Sequence, residues 1–175
     1  RFGEISPAIF IPIAEASGAI IKLGEFVIQT VLQDLKNSKL PDSFRVSVNL
    51  SPMQFTQENL VGNLLSLIEE SNLPARRLEL EITESTIFHD VDFVDRMLRD
   101  MGRAGIEFAI DDFGTGYSSL AYLKGLPAQE LKIDQSFVRE MLHDPEDLAI
   151  LRGIVGLASA FGKRVIAEGM ESQEH

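Results

Sequence analysis

Five strand-like runs, each ending in a polar residue able to bind metal or move protons, alternate along this chain with helical stretches. The runs are Arg45–Asn49, Arg77–Glu81, Ile106–Asp111, Glu130–Asp134 and Lys163–Glu168. Side chains alternate faces along a strand. Leu78, Leu80 and Ile82 therefore share one face, and Glu79, Glu81 and Thr83 the other. On the same count Asn49, Glu81, Asp111, Lys132 and Glu168 fall opposite the clearest aliphatic residues. The last run fits least well, because Ile166 shares the face of Glu168. Between the runs, apolar residues recur at three- and four-residue spacing. Phe26, Ile28, Val31, Leu32 and Leu35 mark one helix, and Leu60, Leu64, Leu65 and Ile68 a second. A third starts after Asp90 and carries Val91, Val94, Leu98 and Met101. A fourth is capped by Asp144 with Pro145 at its first position and runs through Leu148, Leu151, Val155 and Ala158. A short helix is predicted over 118–124. Such alternation predicts parallel strands joined by crossovers.

Two architectures satisfy that order, an open doubly wound sheet and a (β/α)₈ barrel. In the open sheet, chemistry clusters at one switch point. In the barrel, the C-terminal ends of all strands ring one mouth. Here a polar residue ends every run, which favours the barrel, although a closed barrel needs eight strands and the sequence offers five.

With 175 residues, 45% hydrophobic and 25% charged, the chain fits one globular domain with a sizeable core. The absence of cysteine excludes disulfides and thiolate metal sites and suits a reducing compartment. A net charge of −11 makes duplex DNA or RNA a poor partner, since that binding depends on phosphate neutralisation by Lys and Arg. A phosphate substrate remains compatible if cations sit between it and the protein.

Two carboxylates about 5 Å apart repel by roughly 3 kcal/mol at an effective dielectric near 20. Clustering Asn49, Glu81, Asp111, Asp112 and Glu168 therefore calls for protons or cations, and all-oxygen donors suit Mg²⁺, Mn²⁺ or Ca²⁺. Adjacent Asp111 and Asp112 would face opposite ways in a regular strand, but both can reach a site where the strand enters the turn Phe113-Gly-Thr-Gly116. Two cations about 3.5–4 Å apart, held this way, hydrolyse phosphodiesters. Lys132 would then orient a water or neutralise charge. An ordinary Asp-Gly turn is the competing reading of this stretch. An enolase-like barrel, with metal ligands on three consecutive strands and a lysine base, is another. His89, His143 and His175 lack metal-ligand spacing, and Phe10, Phe26, Phe55 and Phe161 read as core.

Phe10-Ile-Pro-Ile-Ala-Glu15, Val48-Asn-Leu-Ser51, Glu79-Leu-Glu-Ile-Thr-Glu-Ser85, Ile110-Asp-Asp-Phe-Gly-Thr-Gly-Tyr-Ser-Ser-Leu120, Leu131-Lys-Ile-Asp134 and Ala167-Glu-Gly-Met-Glu171 occur in that order. Together they resemble the EAL domain, a family of bacterial cyclic-di-GMP phosphodiesterases. The resemblance implies a modified TIM (β/α)₈ barrel that linearises cyclic di-GMP to pGpG with two Mg²⁺ or Mn²⁺ ions per site, Ca²⁺ being inhibitory. It implies metal ligation by Asn49, Glu81, Asp111, Asp112 and Glu168, and a catalytic role for Lys132, which contacts the water, and for Glu168. Glu84, counted with these catalytic residues, corresponds to the Glu that steadies the loop of Phe113, Gly114, Thr115, Gly116, Tyr117, Ser118 and Ser119. Asp134 is expected to bind substrate, and Glu171 is a further acidic residue of the site. The loop and the short apolar helix after it, with Leu120, Tyr122 and Leu123, are expected at a homodimer contact.

The Glu-Ala-Leu tripeptide that names the family does not occur before the first motif, and no final strand follows Glu171. The chain is thus expected to be the central part of one barrel, cut at both ends and inactive as it stands. Fused sensory or diguanylate cyclase domains are expected outside it, in a cytoplasmic setting or on the cytoplasmic side of a membrane-anchored protein. A non-cleaving EAL-like module that binds cyclic di-GMP or a partner protein is the alternative implied by the same resemblance. Such relatives lose motif residues, and the motifs present here are intact.

Overall fold

The computed structural model describes residues 3–116 and 120–172. Helices α1 (Pro7–Ala16) and α2 (Ala19–Asn37) lead into β1 (Val46–Asn49). There follow α3 (Pro52–Phe55), α4 (Leu60–Ser71), β2 (Leu78–Thr83), α5 (Glu84–His89), α6 (Val91–Arg103), β3 (Glu107–Phe113), α7 (Leu120–Gly125), β4 (Glu130–Ile133), α8 (Gln135–Glu140), α9 (Pro145–Ala160) and β5 (Arg164–Ala167). All four strand pairings are parallel, and the spatial order β1-β2-β3-β4-β5 is the sequence order. A doubly wound sheet would reverse direction at a switch point. No reversal occurs among the described strands, so the sheet is an arc of a TIM-like barrel.

The helices pack on one face of the arc. Leu78, Leu80, Ile82, Phe108, Ile110, Leu131 and Ile133 are all at most 1% exposed and meet α4, α6 and α9 through Leu64, Ile68, Leu98, Met101 and Ala158. Truncating one such leucine to Ala typically costs about 2–5 kcal/mol, so this face is committed to the core and the opposite face is left for polar residues. Capping fixes where the crossovers start. Asp90 accepts from Phe93 N, Asp144 from Glu146 N behind Pro145, and Ser51 closes a reciprocal box with Gln54.

Helix α1 carries Pro7 at its start, where the missing N–H is harmless, and Pro12 within it. Two expectations shift. Phe26 is 64% exposed and not core, whereas Phe55 is buried. In α9 the buried stripe is Leu151, Ile154 and Ala158, with Val155 turned outward. That helix is apolar nearly all round, so spacing alone does not choose its inner face.

Candidate active site

The polar face of the arc is layered. At the C-terminal ends of the strands, Asn49 lies level with Glu81 and Thr83 with Asp111. Lys132 stands between them and β5. Its Nζ is 3.0 Å from Glu81, 3.5 Å from Asp111 and 2.6 Å from Glu168, three carboxylates from three different strand ends. Burial opposes the charge on Lys132. The hydrogen bonds to Glu168 and Glu81 and the charges of Asp111 and Glu81 outweigh it and hold its pKa above the ordinary lysine value.

The double aspartate reaches the mouth through a bulge. Between β3 and β4, Ile110 pairs with Leu131 but Phe113 with Ile133, one residue more on β3 than on β4. Asp112 takes up the extra residue at φ +54°, and its N–H donates to Asp111 Oδ1 at 3.1 Å. The strand's strict alternation is broken there, so neighbours in sequence share one mouth. Desolvation first, then the charges of Asp111 and Asp134, push the Asp112 carboxyl above its usual range. Asp134 goes the other way. Its carboxylate accepts from Ser136 Oγ and, at 2.9 Å, from Ser136 N at the start of α8, and these bonds hold its pKa low.

Glu84 opens α5 directly after β2 and is 2% exposed. Its Oε2 accepts from Gly114 N at 2.9 Å and Gly116 N at 3.4 Å, tying the loop after the double aspartate to the neighbouring strand end. Gly114 has φ +103°, and a Cβ there would lie 3.0 Å from Phe137, so both the turn and the close approach require glycine. Tyr117, Ser118 and Ser119 lie outside the described residues, as does His175. Leu123 is buried in the core, so it is unavailable to the dimer contact expected of this helix. Glu171 pairs with Arg139 of α8 at 3.7 Å.

A second polar layer, not singled out in the sequence, lies at the N-terminal ends of the same strands. Arg45 pairs with Glu107 and lies 3.8 Å from Glu79. Arg164 reaches Glu107 at 3.1 Å, Glu130 at 3.0 Å and Glu79 at 3.7 Å. Ser47 donates to Glu79 at 2.7 Å. The period-2 pattern that marks Glu81 also marks Glu79, but the partners come from opposite edges of the sheet, which spacing along the chain does not reveal.

The upper layer fits a hard divalent cation by its chemistry. Glu81, Asp111 and Glu168 surround one ammonium with Asp112 and Asp134 beside them, all donors are oxygens, and desolvation together with the neighbouring carboxylates already raises Asp112. Among the described residues no three acidic or histidine side chains converge on one metal position. The point between Glu81, Asp111 and Glu168 is taken by Lys132 Nζ, so ligation needs rotamer changes of these carboxylates about the ammonium.

The family model for the EAL domain matches residues 2–175. MucR of Pseudomonas aeruginosa, a bifunctional diguanylate cyclase/cyclic di-GMP phosphodiesterase, is 40% identical over 99% of this chain and 26% of its own length. The cyclic di-GMP phosphodiesterase NbdA of the same organism is 36% identical over 98% of this chain and 22% of its own. The chain thus spans about a quarter of the length of these curated relatives. Among solved structures, the PaMucR phosphodiesterase in its c-di-GMP complex superposes with a TM-score of 0.95 at 39% identity, over 99% of this chain and 71% of that one. Klebsiella pneumoniae BlrP1, in a calcium and cyclic-di-GMP complex, gives 0.73 at 26% identity, over 87% of this chain and 38% of that one.

Proposed function

The chain belongs to the EAL domain family, and we propose that it carries the polar mouth of a metal-dependent phosphodiesterase that opens cyclic di-GMP to linear pGpG. One observation carries the reading: carboxylates from three strand ends converge on Lys132, with Asp112 turned toward them by a bulge. Asn49, Glu81, Asp111, Asp112 and Glu168 would hold Mg²⁺ or Mn²⁺. Bound there, the cations polarise the phosphodiester and lower the pKa of water.

The protein's own groups divide the remaining work. Lys132 would donate to the oxygen of the attacking water and fix its position. Glu168, 2.6 Å away and the most exposed of the three, is the carboxylate placed to receive the water's proton. Attack on phosphorus breaks the P–O3′ bond; the leaving O3′ takes a proton from solvent, and Glu168 returns the proton of the attacking water to solvent, which balances the step. Asp134 caps α8 beside Asp112 and would orient the substrate, and Glu84 would keep the Phe113–Ser119 loop in place.

The remaining strands of the barrel would close on the exposed edges of β1 and β5. A cavity of about 510 Å³ between α1, α2 and β1, lined by Phe10, Ile20, Val27 and Asn49, supports that placement. So does α1, where Ile9 and Ile13 are 60% and 64% exposed. A homodimer across the loop region, and fusion to sensory or cyclase domains, complete the proposal. No helix among the described residues is long and apolar enough to cross a membrane. The test is turnover of cyclic di-GMP by the full-length protein. We expect pGpG with Mg²⁺ or Mn²⁺, none in excess chelator, and inhibition by Ca²⁺. Cleavage undiminished by chelator overturns the reading.

A further inference from the structure

Glu168 has no strand of its own to hold it: β5 ends at Ala167, and the last ladder bond runs from Glu168 N to Ile133 O at 3.2 Å. Its carboxylate must nevertheless meet Lys132. The next residues of the chain are seated on α8. Gly169 adopts φ +76°, and a Cβ on it would stand 2.8 Å from Gln135 Cβ and 3.5 Å from Gln135 Cα. Those atoms belong to the first residue of a helix and cannot swing aside as a side-chain tip could. Two residues on, Glu171 meets Arg139 at 3.7 Å. Gln135 and Arg139 are four apart and share one helix face, so both contacts of residues 169–171 fall on the same face of α8.

We propose that Gly169 and Arg139 are positioning residues that, by docking the segment 168–171 on α8, set the Glu168 carboxylate against Lys132. The inference rests on the role assigned to Glu168 in the proposed reaction. Helix α8 is itself started by Asp134, whose carboxylate faces Asp112. The shelf that seats Glu168 is thus anchored in the site that Glu168 serves. Gly169 acts by what it lacks: any Cβ lifts the chain off Gln135 and displaces the residue before it. A left-handed backbone adds strain for alanine at this position as well.

The decisive experiment combines Gly169→Ala with Gln135→Gly in the full-length protein. Gly169→Ala is expected to lower kcat about tenfold or more with KM for cyclic di-GMP within twofold. Gln135→Gly, by removing the opposing Cβ, is expected to restore most of the loss in the double variant. A role confined to stability would not be rescued, because glycine in place of Gln135 weakens α8. Arg139→Ala, at a side chain 55% exposed, is expected to fold and to lower kcat several-fold. A crystal structure of Gly169→Ala should place the Glu168 carboxylate at least about 1 Å farther from Lys132, and this readout decides the matter even if cyclic di-GMP is not the substrate. An unmoved carboxylate, or wild-type kcat in both single variants while Glu168→Gln is inactive, overturns the proposal and leaves the assigned function standing.

Discussion

The two ends of the sheet's polar face use the same strands and nearly the same residue types, yet they are built to opposite rules. At the N-terminal end, Arg45 and Arg164 stand against Glu79, Glu107 and Glu130, and every carboxylate lies within reach of a guanidinium. At the C-terminal end a single ammonium serves Glu81, Asp111 and Glu168, with Asp112 and Asp134 beside them. Glu79 and Glu81 are two residues apart on β2, and both are buried. One is a strut and the other, on the proposed reading, is a metal ligand. Near charge balance marks the end that holds the strands together, and carboxylate excess marks the end that needs cations from outside. Parallel strands lend themselves to this division, because only their C-terminal ends open into the loops where a ligand can enter.

The largest expected effect falls at the charge-rich end. Lys132→Ala and Glu168→Ala should each lower kcat by on the order of 10²-fold or more. Neither side chain is part of the aliphatic core, so circular dichroism of the full-length variants should match wild type and Glu168→Ala should melt close to it, whereas Lys132→Ala, which leaves buried Glu81 without its cation, should melt lower in the absence of metal. Turnover within a few-fold of wild type in either variant would remove these residues from the chemistry and weaken the contrast between the ends.

The charge-balanced end should respond the other way round. Arg164→Ala removes the guanidinium shared by Glu79, Glu107 and Glu130, of which Glu79 is only 4% exposed. Arg45 still serves Glu79 and Glu107, but buried Glu130 loses its cation, which is destabilising; Arg164 is itself half exposed and water can replace part of its role. We expect a loss of about 1–2 kcal/mol in denaturant unfolding, with kcat per folded molecule unchanged. A loss of activity without a loss of stability would show that the two layers are not separable.

The sequence makes one of these layers visible and hides the other. Hydrophobic alternation locates all five strands closely and shows that Asn49, Glu81, Asp111, Lys132 and Glu168 share a face. The N-terminal layer escapes because its cations, Arg45 and Arg164, lie at the two edges of the sheet and become neighbours of Glu107 only when the sheet curls. The geometry of Asp111 and Asp112 escapes for a local reason: a bulge is one inserted residue, and the sequence of a bulge at a Gly-rich turn reads equally as an ordinary turn. Helix α1 is obscured by its prolines, whose propensity argues against the helix that Pro7 in fact starts.

A smaller effect is expected at the link between the loop and the charge-rich end. Glu84→Ala leaves Gly114 N and Gly116 N without that acceptor, loosening the backbone that sets Asp112. Metal affinity in isothermal titration with Mn²⁺ should weaken several-fold, and sedimentation should register weaker self-association with Mg²⁺ present. If both properties are unchanged, the loop does not couple metal binding to dimerisation.

The smallest effect is the one most specific to charge excess. Asp112 is exposed, sits at φ +54° and is crowded by Asp111, Asp134 and Glu168. Asparagine tolerates that backbone as well as aspartate does, so Asp112→Asn changes charge with little change of shape. In chelator, where repulsion is uncompensated, the variant should be slightly more stable than wild type, by a few tenths of a kcal/mol after solvent screening. In saturating Mn²⁺ the order should invert, because wild type gains more from a bound cation that stabilises only the folded state. The comparable change at the other end, Glu79→Gln, should destabilise with or without metal, since it removes a charge that two arginines need. Thermal melts of the two variants with and without Mn²⁺ give four shifts. A lower melting temperature for Asp112→Asn in chelator would mean that the upper layer is already balanced, and that the difference between the two ends is one of position alone.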